Sequence, residues 1–208
     1  MSEMSTQLQK LVIASGNTGK IEEFRAYLAD LGVTLIPKPD NIDVEETGST
    51  FIENAHLKAS QVAIATGEWA IADDSGLEVI ALDSAPGVLS ARYAATDSDR
   101  INRVLSELSH HSNREAQFVC AIAIASPDGA ITADAIGICK GAIADAPRGN
   151  HGFGYDPIFL IPEFQQTFGE IPPEIKAKIS HRANALSILR SKLQNFVIPI
   201  HRSVATLP

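Results

Sequence analysis

Two apolar runs between about Ala116 and Cys139, joined by Ser126-Pro127-Asp128-Gly129, constrain this chain more than any other segment. Proline presets one backbone angle, aspartate bonds its own following backbone, and glycine accepts a positive φ, so the segment predicts a β-hairpin. A hairpin pairs its strands antiparallel. Upstream, strands and helices alternate, the pattern of an α/β chain with parallel pairs. The expected fold class is therefore α/β with a mixed rather than a purely parallel sheet.

Hydrophobic periodicity gives the alternation. KLVIAS, residues 10 to 15, reads as a buried strand; after the turn SGNTGK, a helix from Ile21 places Ile21, Phe24, Leu28 and Leu31 on one side. Thr50 with Glu53 forms a capping-box pattern before a second helix, whose Ile52, Ala55, Ala59 and Val62 share a face and which Gly67 can close. WAIA predicts a short strand ending at Asp73 and Asp74. LEVIAL predicts a separate one, followed by the irregular SAPGVLSARY. A helix from about Asp97 uses Ile101, Val104, Leu105 and Leu108. Residues 149 to 159 form a glycine-rich loop leading into a short apolar run. Beyond Pro172 and Pro173, the residues Ile179, Ala183, Leu186, Leu189 and Leu193 trace the buried side of one last helix. There is no internal repeat and no low-complexity segment. The 208 residues are read as a single domain, with the tail 197–208 unassigned.

Composition excludes several function classes. A formal net charge of -8 argues against a nucleic-acid polymer as partner, because nonspecific grip on phosphates needs clustered Lys and Arg. A small anionic substrate needs only a few converging cations. No run approaches the roughly 20 apolar residues that span a bilayer, and the opening residues lack a leader pattern, so no membrane partner is expected and the cytoplasm is. Cys120 and Cys139 fit neither a redox pair nor a zinc pattern and read as buried free thiols.

Three segments carry candidate chemistry, each with a plainer alternative. Ser15-Gly16-Asn17-Thr18-Gly19-Lys20 lies between a strand and a helix, where backbone N–H groups and a lysine can hold an anion; the alternative is a capped turn with a solvated lysine. It is not a Walker A loop, since Ala14 and Ile21 stand where glycine and Ser or Thr are required. Asp73-Asp74-Ser75-Gly76 follows a strand. Adjacent carboxylates repel unless a cation or a proton relieves them, and magnesium needs only one or two carboxylates plus substrate phosphates; the alternative is a solvated acidic turn. Glu45 and Glu46 are possible partners from another loop, or a solvated pair. Finally, Phe153 or Tyr155 can lie against a base, and His181 and Arg182 can donate to an oxygen; equally, the aromatics can be core and Ser180 can merely cap a helix. Lys58 follows Asn54 by one helical turn, so the two can share a face.

The ordered segments SGNTGK, EETGSTFIENAHLKA, ADDSGLEV, APGVLSARYA, GFGYDPIF and KISHR resemble those of the inosine triphosphate pyrophosphatase family, from about Leu11 to the last helix. The resemblance implies an elongated α/β/α fold with a mixed central sheet, a nucleotide cleft between two lobes, and a homodimer. It implies hydrolysis of non-standard purine nucleoside triphosphates (ITP, dITP, XTP) to a monophosphate and pyrophosphate with Mg2+, clearing aberrant nucleotides from the precursor pool. Carried over by position, Ser15, Gly16, Asn17, Thr18, Gly19 and Lys20 contact the triphosphate, with Lys58 and Lys176 as further contacts. Glu45 and Asp74 bind the metal, and Asp74 also accepts a proton. Ser75, Phe153, Gly154, Tyr155, Asp156, His181 and Arg182 complete the nucleotide site. The chain departs from the family pattern in the short Ala95-Thr96-Asp97 link, in Gly169 where alanine is usual, and in its longer tail. A noncatalytic nucleotide sensor and a Maf-like pyrophosphatase for modified pyrimidines are the rival readings.

Overall fold

The computed structural model describes residues 10–29 and 33–193; the opening residues, Leu31, the Leu193 side chain and the tail after Phe196 lie outside the described residues. Among the described residues seven strands form one sheet in the order β2-β1-β3-β4-β5-β6-β7. Strand β1 (Lys10–Ile13) runs parallel to β2 (Thr34–Pro37) and to β3 (Ala70–Val79). Antiparallel pairs then follow through β4 (Glu115–Ala125), β5 (Ile131–Ile143), β6 (Phe159–Ile161) and β7 (Gln166–Thr167). The sheet is mixed, as the hairpin demands. At its turn the Gly129 N–H donates to the Ser126 carbonyl at 2.7 Å, with Gly129 at φ +86.

Helix α1 (Thr18–Leu28) and helix α5 (His181–Leu193) cover one face of the sheet, where Phe24, Leu28, Ala185, Leu186 and Leu189 pack on Leu11, Ile13, Ile71, Ile122 and Ile124. Helix α2 (Phe51–Thr66) covers the other, with Ala55, Ala59, Val62 and Ala63 against Ala70, Ala72, Val119, Ala121 and Ala123. The capping box of Thr50 and Glu53 is formed, and Gly67 closes the helix at φ +67. Toward the other end, Ile101, Val104 and Leu108 of the region around α3 (Asp97–Glu107) join Leu77, Val79, Phe118, Phe159 and Phe168 in a further apolar cluster.

Two sequence expectations are corrected. Asp73 and Asp74 do not end a strand: β3 runs through Asp73-Asp74-Ser75-Gly76 to Val79, taking up most of the predicted LEVIAL strand's start, and Ile80–Leu82 forms a 3-10 turn. Ten consecutive residues pair with β4, from Ala70 with Ala125 to Val79 with Ala116, and this long ladder overrides the turn-like local chemistry. Gly76 is required there by space, since a Cβ would collide with the Ser90 hydroxyl and the Gly87 carbonyl. The last helix is two helices, α4 (Pro173–Ile179) and α5, broken at Ser180 in extended conformation. Ser180 Oγ accepts the Ala183 N–H at 3.2 Å and so starts α5. Strand β2 gave no periodic signal that the sequence reading used.

Candidate functional site

Successive side chains on a strand point to opposite faces. Asp73 therefore shares the side of Ile71, under α1 and α5, while Asp74 shares the side of Ala72, under α2. The adjacent carboxylates do not meet each other. Each pairs directly with different cations, while the charges of Lys20 and Lys58 act on both.

Asp73 is fully buried. Its Oδ2 accepts Lys20 Nζ at 3.0 Å, Arg182 Nη2 at 3.1 Å and Ser75 Oγ at 3.1 Å; among the described residues Oδ1 has no hydrogen-bond partner. Burial pushes its pKa up, but the charges of Lys20, Arg182 and Lys58 outweigh burial and hold it far below the usual carboxylate range. Arg182 also donates to Ser75 Oγ at 3.0 Å and pairs with Glu23 of α1. Asp74, 6% exposed, accepts Lys58 Nζ at 3.1 Å on Oδ1 and Asn54 Nδ2 at 3.1 Å on Oδ2. Burial raises the Asp74 pKa, with Glu46 adding to the rise and Lys58 opposing it. Lys58 Nζ also meets Glu46 Oε1 at 2.5 Å, and Arg92 Nη1 meets Glu46 Oε2 at 2.6 Å. Glu46 is held below its usual range: burial raises its pKa, and Lys58 and Arg92 more than reverse that.

The β1–α1 turn sits beside these acids. Asn17 is the helix cap, its Oδ1 accepting the Lys20 N–H at 3.1 Å, and the Asn17 N–H donates to Ser15 Oγ at 3.2 Å. The turn borders a cavity of about 700 Å³ lined also by Lys20, Lys38, Glu45, Glu46, Lys58 and Arg92. Through Asn17, Lys20 and Ala91 this cavity adjoins a pocket of about 170 Å³ lined by Ser75, Phe118, Phe153, Gly154, Tyr155, Asp156, Lys176, His181 and Arg182. A third space of about 920 Å³ opens between α1 and the α4–α5 region and shares Asn17, Phe153, Lys176 and Arg182 with that pocket.

The glycine-rich loop is shaped by Asp156. Its Oδ2 accepts the Phe153 N–H at 2.7 Å and Lys176 Nζ at 2.6 Å, and Gly152, at φ +74, leaves room where a Cβ would strike that carboxylate. Burial raises the Asp156 pKa against the pull of Lys176. Phe153 is half-buried with Lys176 Nζ 4.9 Å from its ring centre. Tyr155 is a core aromatic whose hydroxyl donates to the Ser90 carbonyl at 2.9 Å. His181 stacks on Phe118 with ring centres 4.7 Å apart. Burial, then the charges of Arg182 and Lys176, keep its pKa well below the usual histidine value, so it is neutral at pH 7. Among the described residues His181 Nδ1 and Arg182 Nε have no hydrogen-bond partner.

Of the residues singled out in the sequence, Ser15 to Lys20, Glu45, Lys58, Ser75, Phe153 to Asp156, Lys176, His181 and Arg182 line these adjoining spaces, and Asp74, which lines none of them, pairs with Lys58 on the cavity wall. Glu45 is exposed on the cavity wall, and it is Glu46 that meets Lys58 beside Asp74. Lys58 is not a solvated helix lysine: it is buried beside Asp74 and Glu46, and their charges with that of Asp73 outweigh burial in raising its pKa. Sequence reasoning missed Glu23, Arg92 and the role of Asn54, whose Oδ1 accepts the Gly48 N–H at 2.7 Å while its amide holds Asp74. Glu23 lies one turn after Lys20, the signal that could have exposed it. Among the described residues no three His, Cys, Asp or Glu side chains converge as a metal cage. The donor set does suit a hard cation that completes its shell with phosphate and water, because Asp74 and Glu46 already share one ammonium between them. No described helix is long and apolar enough to cross a membrane.

The chain is 58% identical over 183 residues to a dITP/XTP pyrophosphatase of Nostoc sp., covering 88% of this chain and 93% of that protein. It is 56% identical to the dITP/XTP pyrophosphatase of Synechocystis sp., over 86% of this chain and 92% of the relative. A HAM1 protein from Coxiella burnetii superposes with a TM-score of 0.84 at 46% identity, over 90% of this chain and 99% of that one. The Staphylococcus aureus Ham1 protein gives 0.82 at 44%, with the same coverage. The six ordered segments, the mixed sheet and the cleft they line thus have one common explanation, for the Ham1 family model matches residues 11–192 and the chain belongs to that family.

Proposed function

We propose that this chain hydrolyses non-standard purine nucleoside triphosphates (ITP, dITP and XTP) to the monophosphate and pyrophosphate, clearing aberrant nucleotides from the precursor pool. The observation that carries the reading is the joining, through Asn17 and Lys20, of a small aromatic and arginine-lined pocket to a cavity of lysines and carboxylates. A base fits the first by its chemistry and a triphosphate the second. The names of the relatives support the same substrate class. We assign the whole chain to one domain acting as a cytoplasmic homodimer; its net charge of -8 gives no support to a nucleic-acid partner.

In this reading Ser15 to Lys20 and Lys58 hold the phosphate tail, and Phe153 and Lys176 flank the base. Arg182 Nε and the ring of His181 offer donors to the 6-oxo oxygen of hypoxanthine or xanthine, where adenine carries an amino donor instead and leaves them unmatched. Asp74 and Glu46 would hold Mg2+, with Glu45 adjacent; when bound, the cation stabilises negative charge on the phosphate oxygens. Asp74 orients a water for in-line attack on the α-phosphorus and takes its proton. The bond from the α-phosphorus to the bridging oxygen breaks, and that oxygen leaves with its electron pair as part of pyrophosphate, held by Lys20 and Lys58.

A triphosphate panel assayed with magnesium in water enriched in oxygen-18 tests the reading. ITP turnover without ATP turnover, with label in IMP, is the expected result. Release of IDP and orthophosphate would overturn it, because the γ-phosphoryl group would then be the one transferred.

A further inference from the structure

Asp73 holds two long cations on a single oxygen. Lys20 Nζ lies 3.0 Å from Oδ2 and Arg182 Nη2 lies 3.1 Å from the same atom; Lys20 lines both the cavity of about 700 Å³ and the aromatic pocket, Arg182 the pocket but not that cavity. Both other approaches to that oxygen are neutral groups, Ser75 Oγ at 3.1 Å and the Cys120 thiol at 3.9 Å. Among the described residues Oδ1 is buried without a hydrogen-bond partner, so none of their cations pairs with the carboxylate from its other side. Asp73 thus pairs directly with one cation that reaches the cavity of about 700 Å³ and one that does not, with Lys58 acting on it from further away.

We propose that Asp73 is a positioning residue that couples the two subsites: by sharing one carboxylate oxygen between Lys20 and Arg182, it makes the grip on a phosphate tail depend on the cation beside the base. The inference rests on the triphosphate reading above. Its physical basis is competition in a water-poor site, where charges interact strongly. With Arg182 in place, the Asp73 charge is already compensated and Lys20 can turn part of its attraction toward a phosphate. Without Arg182, Lys20 is the remaining full charge on that oxygen, and a phosphate must compete with a buried carboxylate for it. Such coupling is reciprocal, so a ligand that engages Lys20 also alters how firmly Asp73 holds Arg182. Base and tail are then sensed together rather than as two independent contacts.

Inorganic tripolyphosphate, which has no base, separates this from direct recognition. Its affinity is measured by calorimetry for the wild-type chain, Arg182→Met, Arg182→Lys, Lys20→Gln, Asp73→Asn and the Arg182→Met combinations with the last two. Arg182→Met should weaken tripolyphosphate binding by roughly 5-fold or more, the usual lower bound for coupled sites. Arg182→Lys, which keeps the charge, should restore most of it. In Lys20→Gln or Asp73→Asn chains, adding Arg182→Met should change the affinity little. Lys20 sits at the cavity rim with its side chain 16% exposed, so the Lys20→Gln arm stands even if Asp73→Asn does not fold. An unchanged affinity in Arg182→Met overturns the coupling. So does an equal loss in the Lys20→Gln background, which would assign the effect to direct attraction between Arg182 and the anion. A wild-type chain that binds tripolyphosphate with this pattern but releases no pyrophosphate from ITP would overturn the functional reading alone.

Discussion

On the α1 and α5 side of β3, Asp73 is sealed at 1% exposure and fed by Lys20 and Arg182; on the α2 side, Asp74 keeps 6% exposure and meets Lys58 and an amide. The two residues are identical in chemistry and adjacent in sequence, yet their proton affinities move in opposite directions. Charge count explains it. Asp73 is surrounded by more positive than negative neighbours, so burial strengthens the ion pairs that keep it ionised. Asp74 shares its lysine with Glu46, so burial and a like charge together disfavour its anion. One strand position makes a fixed electrostatic anchor and the next an acid that holds its proton more readily, the reactive group of the proposed function. A strand through the middle of the site, rather than a loop at its edge, is what allows this division.

The sharpest way to break the comparison is on the Asp74 face. Asp74→Asn should lower kcat by about 10² to 10⁴-fold, the range that a positioned general base supplies. The amide keeps an oxygen for Lys58 but turns its NH2 toward the Asn54 amide, so the melting temperature should fall only modestly beside the loss of turnover. Steady-state kinetics at saturating magnesium with a parallel thermal melt checks both. Wild-type turnover by the folded variant would take Asp74 out of the chemistry.

On the Asp73 face the large effect should be on stability. Asp73→Ala leaves Arg182 and Lys20 without their buried counter-charge, and removing one partner from such an arrangement costs about 3 to 5 kcal/mol. Urea unfolding compares it with Asp74→Ala, which should lose clearly less. Equal losses would mean that the two faces are not anchor and reactive group.

A smaller effect should separate the neighbouring glutamates. Glu46→Gln should raise the magnesium concentration needed for half-maximal turnover by roughly 10-fold or more, the scale seen when a group close to a metal is altered. Glu45→Gln should shift it much less, since Glu45 is exposed and Glu46 is the one joined to Asp74 through Lys58. The reverse order in a metal titration would return the ligand to Glu45.

The α/β class, the hairpin, the capping box at Thr50 and the order of the site segments were legible in the sequence, because each depends on residues a few positions apart. Caps, turns and periodicity act locally, and local signals survive in a bare string of letters. Tertiary structure alone decided that β3 continues through Asp73-Asp74-Ser75-Gly76, since ten pairings with β4 are distant in sequence and outweigh the turn-like composition. It also decided that Arg182 reaches Glu23 across 159 positions and Asp73 across 109. The break at Ser180, which sets His181 and Arg182 at the start of α5, was visible only as a capping option. Most consequentially, alternation along an extended strand put neighbouring carboxylates on opposite faces, and the helices packed on those faces supplied different charges. A sequence names the acids; which cations face them depends on which helix the fold lays across each side of the sheet, and burial then sets how strongly those charges act.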